Sequence, residues 1–543
     1  MTTRPTPSTP RLLEKHTYLT YDAIVTKLRD LARAYPDICS AYTAQEKYNL
    51  PTAGKCGDKP CKQWVFVVGN KAKHVASTPE LFFSGALHGN ERVGPTAVVE
   101  LVEFLVSHYG KNEFVTRMVD SRLVVAMPMP NAWGYYRSMR EELSSDPNRD
   151  FAFDTKPSEC MRTIAGRAVN EVWRDHIFQL GATFHGGDNL IGYPWGDNTH
   201  NPGYIAGDKI AMHSLGQFMV EVAGKYGGDG LYKLGEMNDV IYPVNGGMED
   251  WAYGGSWHKA ATTCNPDSYG GYPREKTVYD SHVLRAVLYL VETAFRKTPH
   301  VSKLGHKTSV EEPFKPGQLG DGHVPRNVRL CLAALDAVEP YVEIVRNKSL
   351  SWRPEADQPK TLSADIPIVV RGVEHVDSVH VKCDDQVTCL VESSSTDSWK
   401  PWGIGRQDVV RAAIRVSYKG DVPPISTNIS VGVRADEHWK KLPTSAVEKK
   451  HNAHWVLARI DPSYRVESNG KTVVGRDIWW SVPMGFHLTP KQAVTSIRSR
   501  AVQHIVVEES TSVLDRSYKG TSLFLFVAVL FLTLRVCYRS KMT

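Results

Sequence analysis

The sequence predicts an α/β domain, followed by a region of β-sandwich modules and a C-terminal transmembrane helix. Three observations predict this fold class: strand-like runs alternate with helical periods in the first half, short β-rich runs fill the second half, and an apolar run lies near the C-terminus. The expected segments are an N-terminal tail at 1–17, the α/β domain at 18–298, a linker at 299–327, the β-sandwich region of one or two modules at 328–515, the transmembrane helix at 519–538 and a basic tail at 539–543.

The α/β domain is predicted from its alternation of apolar runs and helical periods. We expect strands at 64–68, 81–87, 123–127 and 180–184, and helices at 21–35, 96–108, 162–178, 208–225 and 278–295. Buried strands that alternate with helices are typical of a sheet that is covered on both faces. Beyond the Pro- and Gly-rich linker the helical period disappears, and runs such as YVEIV and SVHVKC predict β-sandwich modules.

The apolar run at 521–538, which carries the expected transmembrane helix, is interrupted only by Arg535 and is followed by a short basic tail. A membrane-spanning helix needs about 20 mostly apolar residues. A basic tail favours the cytosolic side, which places the preceding chain in an extracellular or luminal compartment. A buried core helix and a removable lipid-anchor signal are the competing interpretations of this run.

Export from the cytosol is supported by two further features, although no signal peptide is visible in the N-terminal tail. An incomplete N-terminus or a tail anchor would each explain that tail. Glycosylation sequons begin at Asn347 and Asn428, and the pairs Cys56/Cys61 and Cys383/Cys389 are close enough to form local disulfides.

Composition excludes two classes of protein. The formal net charge is +6 and both signs are mixed along the chain, so no dense basic stripe indicates a nucleic-acid partner. The apolar content of 42% is that of a folded chain rather than a disordered one.

A candidate metal site is the most specific chemical feature of the sequence. His88 and Glu91 follow an apolar strand in SGALHGNERVG, and His185 follows another in LGATFHGGD. Catalytic zinc takes three ligands from His, Glu or Asp and leaves one position open. The His-x-x-Glu pair alone is compatible with an ordinary polar turn, and His185 at a second strand end favours the metal site.

The segments HGNERVG, NRDF, HGG…YPWGD and GGMEDWAY together resemble the M14 zinc carboxypeptidases, closest to the regulatory (N/E-type) branch, over roughly 18–297. This resemblance implies one Zn²⁺ ion held by His88, Glu91 and His185. It also implies a mixed eight-stranded sheet flanked by helices, with a β-sandwich module behind it, and peptide or protein C-termini as the binding partners.

The resemblance also implies a set of groups that hold the substrate. Asn148 and Arg149 match the pair that binds the terminal carboxylate, for which a guanidinium fork is well suited. Arg140 matches by spacing the arginine that polarises the scissile carbonyl, with Arg137 as a competitor. Tyr253 matches the mobile tyrosine that closes over the carboxylate.

The general base departs from the family pattern. The family places a glutamate shortly after the mobile tyrosine, whereas this chain has no glutamate between Glu249 and Glu275. Counting forward from Tyr253 points to Cys264, and counting back from YPRE points to Pro266 or Asp267. We assign Asp267 as the base, with Glu275 as a remote substitute. A chain without a base would still bind zinc and peptide ends.

The sequence therefore predicts a zinc metallocarboxypeptidase that removes single C-terminal amino acids. Two alternatives stay open: a zinc-binding pseudopeptidase that recognises C-terminal carboxylates, and an amidase or deacylase that uses the same chemistry. Asp197 and Glu249 lie in motif segments, and their acidic side chains would suit a basic terminal residue.

Overall fold

The computed structural model describes residues 14–226, 229–280, 283–307, 322–345, 352–373, 376–395, 409–422, 424–435 and 462–488. The predicted transmembrane helix, the basic tail, the sequon at Asn347 and most of the N-terminal tail lie outside these ranges. Within them, no helix is long and apolar enough to cross a bilayer.

A mixed eight-stranded sheet forms the centre of the first half, as predicted. Its strands are β1 Cys39–Thr43, β4 Trp64–Val68, β5 Glu80–Ser84, β6 Leu123–Met127, β7 Phe178–His185, β8 Asp188–Tyr193, β9 Lys233–Glu236 and β10 Val287–Ala294, while β2 Lys55–Cys56 and β3 Lys59–Pro60 form a separate hairpin. The strand order is β1-β4-β6-β5-β7-β10-β8-β9, and the central strands β6, β5, β7 and β10 run parallel. Every residue of β5, β7 and β10 is buried, because helices cover both faces.

Ten α-helices are formed by the described residues. They are α1 Tyr21–Ala34, α2 Ala44–Tyr48, α3 Val93–His108, α4 Glu113–Ser121, α5 Ala132–Arg137, α6 Ile164–Arg174, α7 Lys209–Ala223, α8 Met237–Val240, α9 Met248–Gly254 and α10 His323–Ala337. Side-chain caps set several of their starts: Thr20 accepts a hydrogen bond from Ala23 N, and Thr163 accepts one from Gly166 N. Four of the five predicted helices are present with shifted ends.

The helix predicted at 278–295 is wrong, because this stretch contains strand β10. All eight residues of β10 are buried, so the strand lacks the alternation of apolar and polar residues that marks a half-buried strand. A short, continuously apolar run does not distinguish a central strand from a buried helix.

The structure also corrects the expectation that helices end before the linker. Helix α10 begins inside the predicted linker and ends inside the predicted β region, and all of its 15 residues are buried. It packs against α3 and α7 as part of the first hydrophobic core, which therefore extends past residue 298. Buried polar side chains hide its periodicity: Arg326 donates to Asn189 Oδ1 at 2.9 Å, and Arg329 donates to Ala223 O at 2.8 Å.

The second half consists of β-sheets, as predicted. The strands are β11 Tyr341–Ile344, β12 Arg353–Glu355, β13 Gln358–Arg371, β14 Val376–Cys383, β15 Val387–Ser395, β16 Val409–Tyr418, β17 Ser426–Ala435, β18 Arg465–Ser468, β19 Lys471–Val474, β20 Ile478–Trp480 and β21 Met484–His487. A five-stranded sheet (β11, β12, β13, β15 and β16) and a four-stranded sheet (β14, β17, β20 and β21) enclose a shared apolar core. Two sheets around one core form a sandwich.

Three disulfides link described residues. Cys56–Cys61 and Cys383–Cys389 are the local pairs expected from their spacing. Cys160–Cys264 joins residues 104 positions apart and ties the loop after α9 to the segment before α6.

Candidate active site

The three candidate metal ligands meet at one edge of the central sheet. His88 and Glu91 lie in the turn between β5 and α3, and His185 is the last residue of β7. Strands β5 and β7 are parallel neighbours, so their carboxyl ends open onto the same edge. The turn between strand and helix thus brings residues from distant parts of the chain together.

The three side chains have the spacing that a tetrahedral ion requires. Nδ1 of His88, Oε2 of Glu91 and Nδ1 of His185 lie 3.1 Å from one another in all three pairs. Ligand atoms about 2.0–2.1 Å from a tetrahedral zinc ion lie about 3.3 Å apart. All three side chains are buried, and two imidazoles with one carboxylate form a typical catalytic zinc set.

Two carboxylates besides that of Glu91, those of Glu249 and Glu292, lie close to His185. Burial alone would lower the pKa of His185, but the carboxylates of Glu249 and Glu91 outweigh it and raise this pKa to about 10. Glu249 Oε1 lies 3.7 Å from His185 Nε2. Neither this oxygen nor Oε2 of Glu292 has a hydrogen-bond partner among the described residues. A divalent cation fits this charge balance better than an apolar or anionic group.

Asp146 orients one of the candidate ligands and was not identified from the sequence. Its Oδ1 lies 2.9 Å from His88 Nε2, so the other ring nitrogen is directed at Glu91 and His185. Burial opposes ionisation of Asp146, but the hydrogen bond with His88 and the charges of His88, Arg140 and Arg149 hold its pKa below the usual range. A carboxylate behind a metal-binding histidine fixes the tautomer and the direction of the ring.

Arg140 lies beside the ligand triad, and Arg137 does not. The Arg140 guanidinium contacts Asp146 Oδ2 at 2.8 Å and lies 3.1 Å from His88 Nδ1. It lines the same pocket as His88 and His185. Arg137 is exposed at the end of α5 and does not line the pocket.

Asn148 and Arg149 lie on a single 3₁₀ turn, Pro147–Arg149, and both line the pocket. Asp146 caps this turn by accepting from Asn148 N at 2.9 Å. The side-chain oxygen of Asn148 accepts from Met248 N at 2.9 Å, which leaves its amide donors available. Gly246 (φ +68°) packs against this turn, since a Cβ there would lie 2.4 Å from Arg149 O.

The structure does not place Tyr253 at the pocket. Tyr253 is 3% exposed, and its hydroxyl donates to Asp208 Oδ2 at 2.9 Å. A different tyrosine, Tyr242, lines the pocket and is 54% exposed. It lies in the loop between α8 and α9, just before the GGMEDWAY segment.

The acid that faces the pocket is Glu292, rather than Asp267 or Glu275. Asp267 and Glu275 are both exposed on the loop after α9 and do not line the pocket. Cys264 is bound in a disulfide. Glu292 lies on β10 directly beside His185 of the neighbouring strand. Because residues 278–295 were expected to form a helix, the sequence VETA was not recognised as the end of an active-site strand.

Burial sets the protonation of Glu292. Burial raises the pKa of this carboxyl group. The positive charge of His185 opposes this rise in pKa, and the negative charge of Glu91 adds to it. The side chain is 8% exposed. A buried carboxylate with an unpaired oxygen beside a cation site is suited to accept a proton.

The remaining pocket wall is apolar and is formed by Met237, Ile241, Val244 and Leu290. Asp197 and Glu249, whose acidic side chains were expected to suit a basic terminal residue of the substrate, do not line this pocket. Asp197 is fully buried and lies 2.6 Å from His200 Nδ1.

Comparison with known proteins shows what most of the first half of the chain is similar to. Residues 24–276 match the family model described as Peptidase M14, zinc carboxypeptidase. Carboxypeptidase M of Mus musculus is 28% identical over 236 residues, which cover 39% of this chain and 53% of the relative. Carboxypeptidase SOL1 of Arabidopsis thaliana is 24% identical, over 45% of this chain and 49% of the relative. Carboxypeptidase D of Rattus norvegicus is 27% identical, over 42% of this chain and 17% of the relative.

The matches therefore span about half of the first two relatives and a smaller share of the third. These relatives are consistent with the regulatory branch that the motifs resemble. Over residues 24–276, the chain thus matches the zinc carboxypeptidase model of the M14 peptidase family.

Proposed function

We propose that the chain is a zinc metallocarboxypeptidase that removes single C-terminal amino acids from peptides or proteins. The observation that carries this proposal is one pocket that is lined by candidate metal ligands, a guanidinium fork and a buried glutamate: His88, His185, Arg149 and Glu292. The first two bind a metal with Glu91, and the others supply the two functions that carboxypeptidase chemistry needs besides the metal.

One Zn²⁺ ion would be held by His88, Glu91 and His185, whose ligand atoms are 3.1 Å apart. When bound there, zinc supplies a Lewis acid that polarises a carbonyl and activates water. Asp146 keeps His88 in the orientation that ligation needs.

The polar groups of the pocket recognise the end of a peptide. Arg149 and Asn148 donate to the terminal carboxylate, and Tyr242, which is exposed at the rim, moves over it. Arg140 donates to the oxygen of the scissile carbonyl, where negative charge develops. Its guanidinium lies 3.1 Å from Nδ1 of His88, so this donor is beside the residues that would hold the metal.

Glu292 acts as the general base. It takes a proton from the attacking water and delivers it to the leaving amine. This assignment removes the reason for a pseudopeptidase, which was the apparent lack of a base. No feature of the pocket favours an amidase or a deacylase.

A peptide assay with mass-spectrometric detection tests the proposal. The zinc-loaded protein is incubated with peptides that have free or amidated C-termini and differ in the last residue. We expect loss of one residue from free C-termini and no cleavage of amidated peptides, which lack the carboxylate. If protein that contains one zinc per chain leaves every free peptide intact, the proposal is wrong.

We further propose that the catalytic domain is extracellular or luminal and is anchored to the membrane through 519–538. Three disulfides indicate an oxidising compartment, and the sequon residue Asn428 is exposed on β17. Protease protection of microsomes with a tag at the C-terminus tests this topology. Digestion of the tag with survival of the catalytic domain is expected, and the reverse pattern contradicts the proposal.

A further inference from the structure

Two buried histidines outside the metal site lie against each other. His200 is in the loop after β8 and is 1% exposed, and His258 follows α9 and is 4% exposed. Their Nε2 atoms lie 3.3 Å apart, and the ring of His200 stacks on that of Trp195. Nδ1 of His200 lies 2.6 Å from Asp197 Oδ2. Nδ1 of His258 accepts a hydrogen bond from Ala260 N at 3.1 Å, so a chain of contacts runs from a backbone amide to a carboxylate.

The partners fix the protonation of both rings. Because Ala260 N donates to Nδ1 of His258, the single hydrogen of this neutral ring is on Nε2 and is donated to His200. The hydrogen of His200 is then on Nδ1 and is donated to Asp197. A second hydrogen on either ring would face another donor, which is His258 Nε2 for the His200 ring and Ala260 N for the His258 ring. An added proton therefore breaks one contact of the chain.

A buried carboxylate keeps this arrangement of hydrogens in place. Burial opposes ionisation of Asp197, but its hydrogen bond with His200 holds the pKa of this carboxyl group below the usual value. Burial and the charge of Asp197 raise the pKa of Asp250 well above its usual value, which favours the protonated form of Asp250. Asp197 therefore supplies the negative charge beside His200. Other charged or titratable groups near the pair are Asp154, Tyr204, Lys259 and Arg285.

The segment 195–198 connects the two histidines to the apolar wall of the pocket. Asp197 belongs to this segment and fixes it to the pair. The carbonyl oxygen of Gly196 accepts a hydrogen bond from Val244 N at 2.7 Å. A Cβ at Gly196 would lie 2.8 Å from Met237 Cε, so the backbone of the segment packs closely against that side chain. Because Met237 and Val244 line the pocket, a shift of the segment would move the wall.

We propose that His200 and His258 are positioning residues that hold the apolar wall in place while both rings are neutral and release it when the pair gains a proton. Two buried donors that face each other lose their hydrogen bond, so the segment shifts to separate them. Histidine is the side chain whose charge changes between about pH 5 and pH 8. Peptide binding should therefore weaken as the pH falls through this range. This inference rests on the proposed binding of peptide C-termini in the pocket.

The test measures the dissociation constant of a peptide rather than turnover. Each full-length, zinc-loaded protein carries Glu292→Gln, so that the peptide is not consumed and the proposed base does not titrate. Fluorescence anisotropy follows the binding of pentapeptides that carry an N-terminal label and a free C-terminal leucine or lysine. Between about pH 8 and about pH 5.5, with zinc content checked at both, we expect Kd to rise by about tenfold or more.

His258→Gln is the conservative variant. Its amide does not titrate and can present either its nitrogen or its oxygen to His200, so the contact with this ring survives protonation. We expect its Kd to match that of the parent at the higher pH and to rise by less than about twofold at the lower pH. His258→Phe keeps a ring but loses both contacts, and should bind weakly at both pH values. His213→Gln, at an exposed position of α7, is the control and should keep the pH dependence of the parent.

A rise in Kd that is as large in His258→Gln as in the parent overturns the proposal, because a merely structural pair would give this result. A Kd of the parent that does not change with pH overturns it as well. If the wild type cleaves no peptide although these proteins bind peptides, the proposed enzyme fails, and the pH dependence of Kd still decides the role of the pair. Absence of binding at both pH values contradicts the peptide pocket, and the role of the pair with it.

Discussion

At the scale of single residues, the proposed general base Glu292 distinguishes the proposed enzyme from a protein that only binds peptide ends. Its carboxyl group lies beside His185 in the neighbouring strand and has one oxygen without a hydrogen-bond partner in the described part of the chain. Asp267 is exposed and outside the pocket. Assignment of the base to Glu292 or to Asp267 therefore leads to opposite predictions for the activity of variants at these two positions.

Glu292→Gln should lower kcat by roughly 10²–10⁴-fold, the usual contribution of a general base. Its zinc content should remain one per chain, because Glu292 is not among the candidate ligands. Asp267→Asn is the matched control and should keep wild-type kinetics. Steady-state kinetics with metal analysis check both variants, and loss of activity in the control alone would restore Asp267 as the base.

The pH dependence of kcat/KM should show the ionisation of Glu292. Burial raises the pKa of Glu292 above that of an exposed glutamate, about 4.3. Because a general base must be ionised, kcat/KM should fall as the pH decreases through this raised pKa. Measurement of kcat/KM from about pH 4 to pH 8 should show an acidic limb that Glu292→Gln lacks, whereas a limb that persists in this variant belongs to another group.

The two tyrosines can be distinguished in the same assay. Tyr242→Phe should raise KM by roughly 10- to 150-fold, since a hydrogen bond to a charged group contributes about 1.5–3 kcal/mol. Tyr253→Phe should leave KM unchanged and lower the free energy of unfolding, because the buried Asp208 loses a hydrogen bond. A KM effect confined to Tyr253→Phe would contradict this assignment.

At the scale of elements, sequence periodicity predicted the helices that have one apolar and one polar face. It failed for elements that are buried on all sides. Helix α1 was predicted at nearly its observed bounds because it has one apolar face. Strand β10 and helix α10 are buried throughout, so neither shows the period that would identify it. The same loss of period hid Glu292, whereas the motifs pointed to the candidate ligands and to Arg149, which lie together at one edge of the sheet.

The buried helix α10 gives a stability prediction at this scale. Leu332→Ala should lower the free energy of unfolding by about 2–5 kcal/mol, because Leu332 is fully buried against the first core. Val301→Ala, at a position 42% exposed, should change it by less than about 0.5 kcal/mol. Denaturant unfolding measures both, and equal effects would contradict the packing of α10.

At the scale of the whole molecule, α10 connects the α/β core to the β-sandwich. Its residue Asp336 is fully buried and is bound by Arg371 of β13 at 3.0 Å and by Tyr341 of β11 at 2.8 Å. Arg122, just before β6, donates to Glu339 O at 2.8 Å. At a separate place, Lys471 of the β18–β19 hairpin forms a salt bridge of 2.7 Å with the buried carboxylate of Glu80.

The position of α10 predicts where the catalytic domain can be cut. A chain that ends at residue 298, the boundary expected from composition, loses α10 and exposes the apolar face of α3. A chain that ends at residue 338 keeps that helix. We expect cooperative thermal unfolding, followed by circular dichroism, for the longer chain and not for the shorter one; cooperative unfolding of the shorter chain would contradict the place of α10 in the core.

The central claim is that three particular side-chain atoms hold one zinc ion, and anomalous X-ray diffraction at the zinc absorption edge measures this directly. In crystals of the zinc-loaded protein, we predict a single strong peak about 2.0–2.2 Å from Nδ1 of His88, from a carboxylate oxygen of Glu91 and from Nδ1 of His185. Zinc at another position, or no peak among these three atoms, would contradict the account.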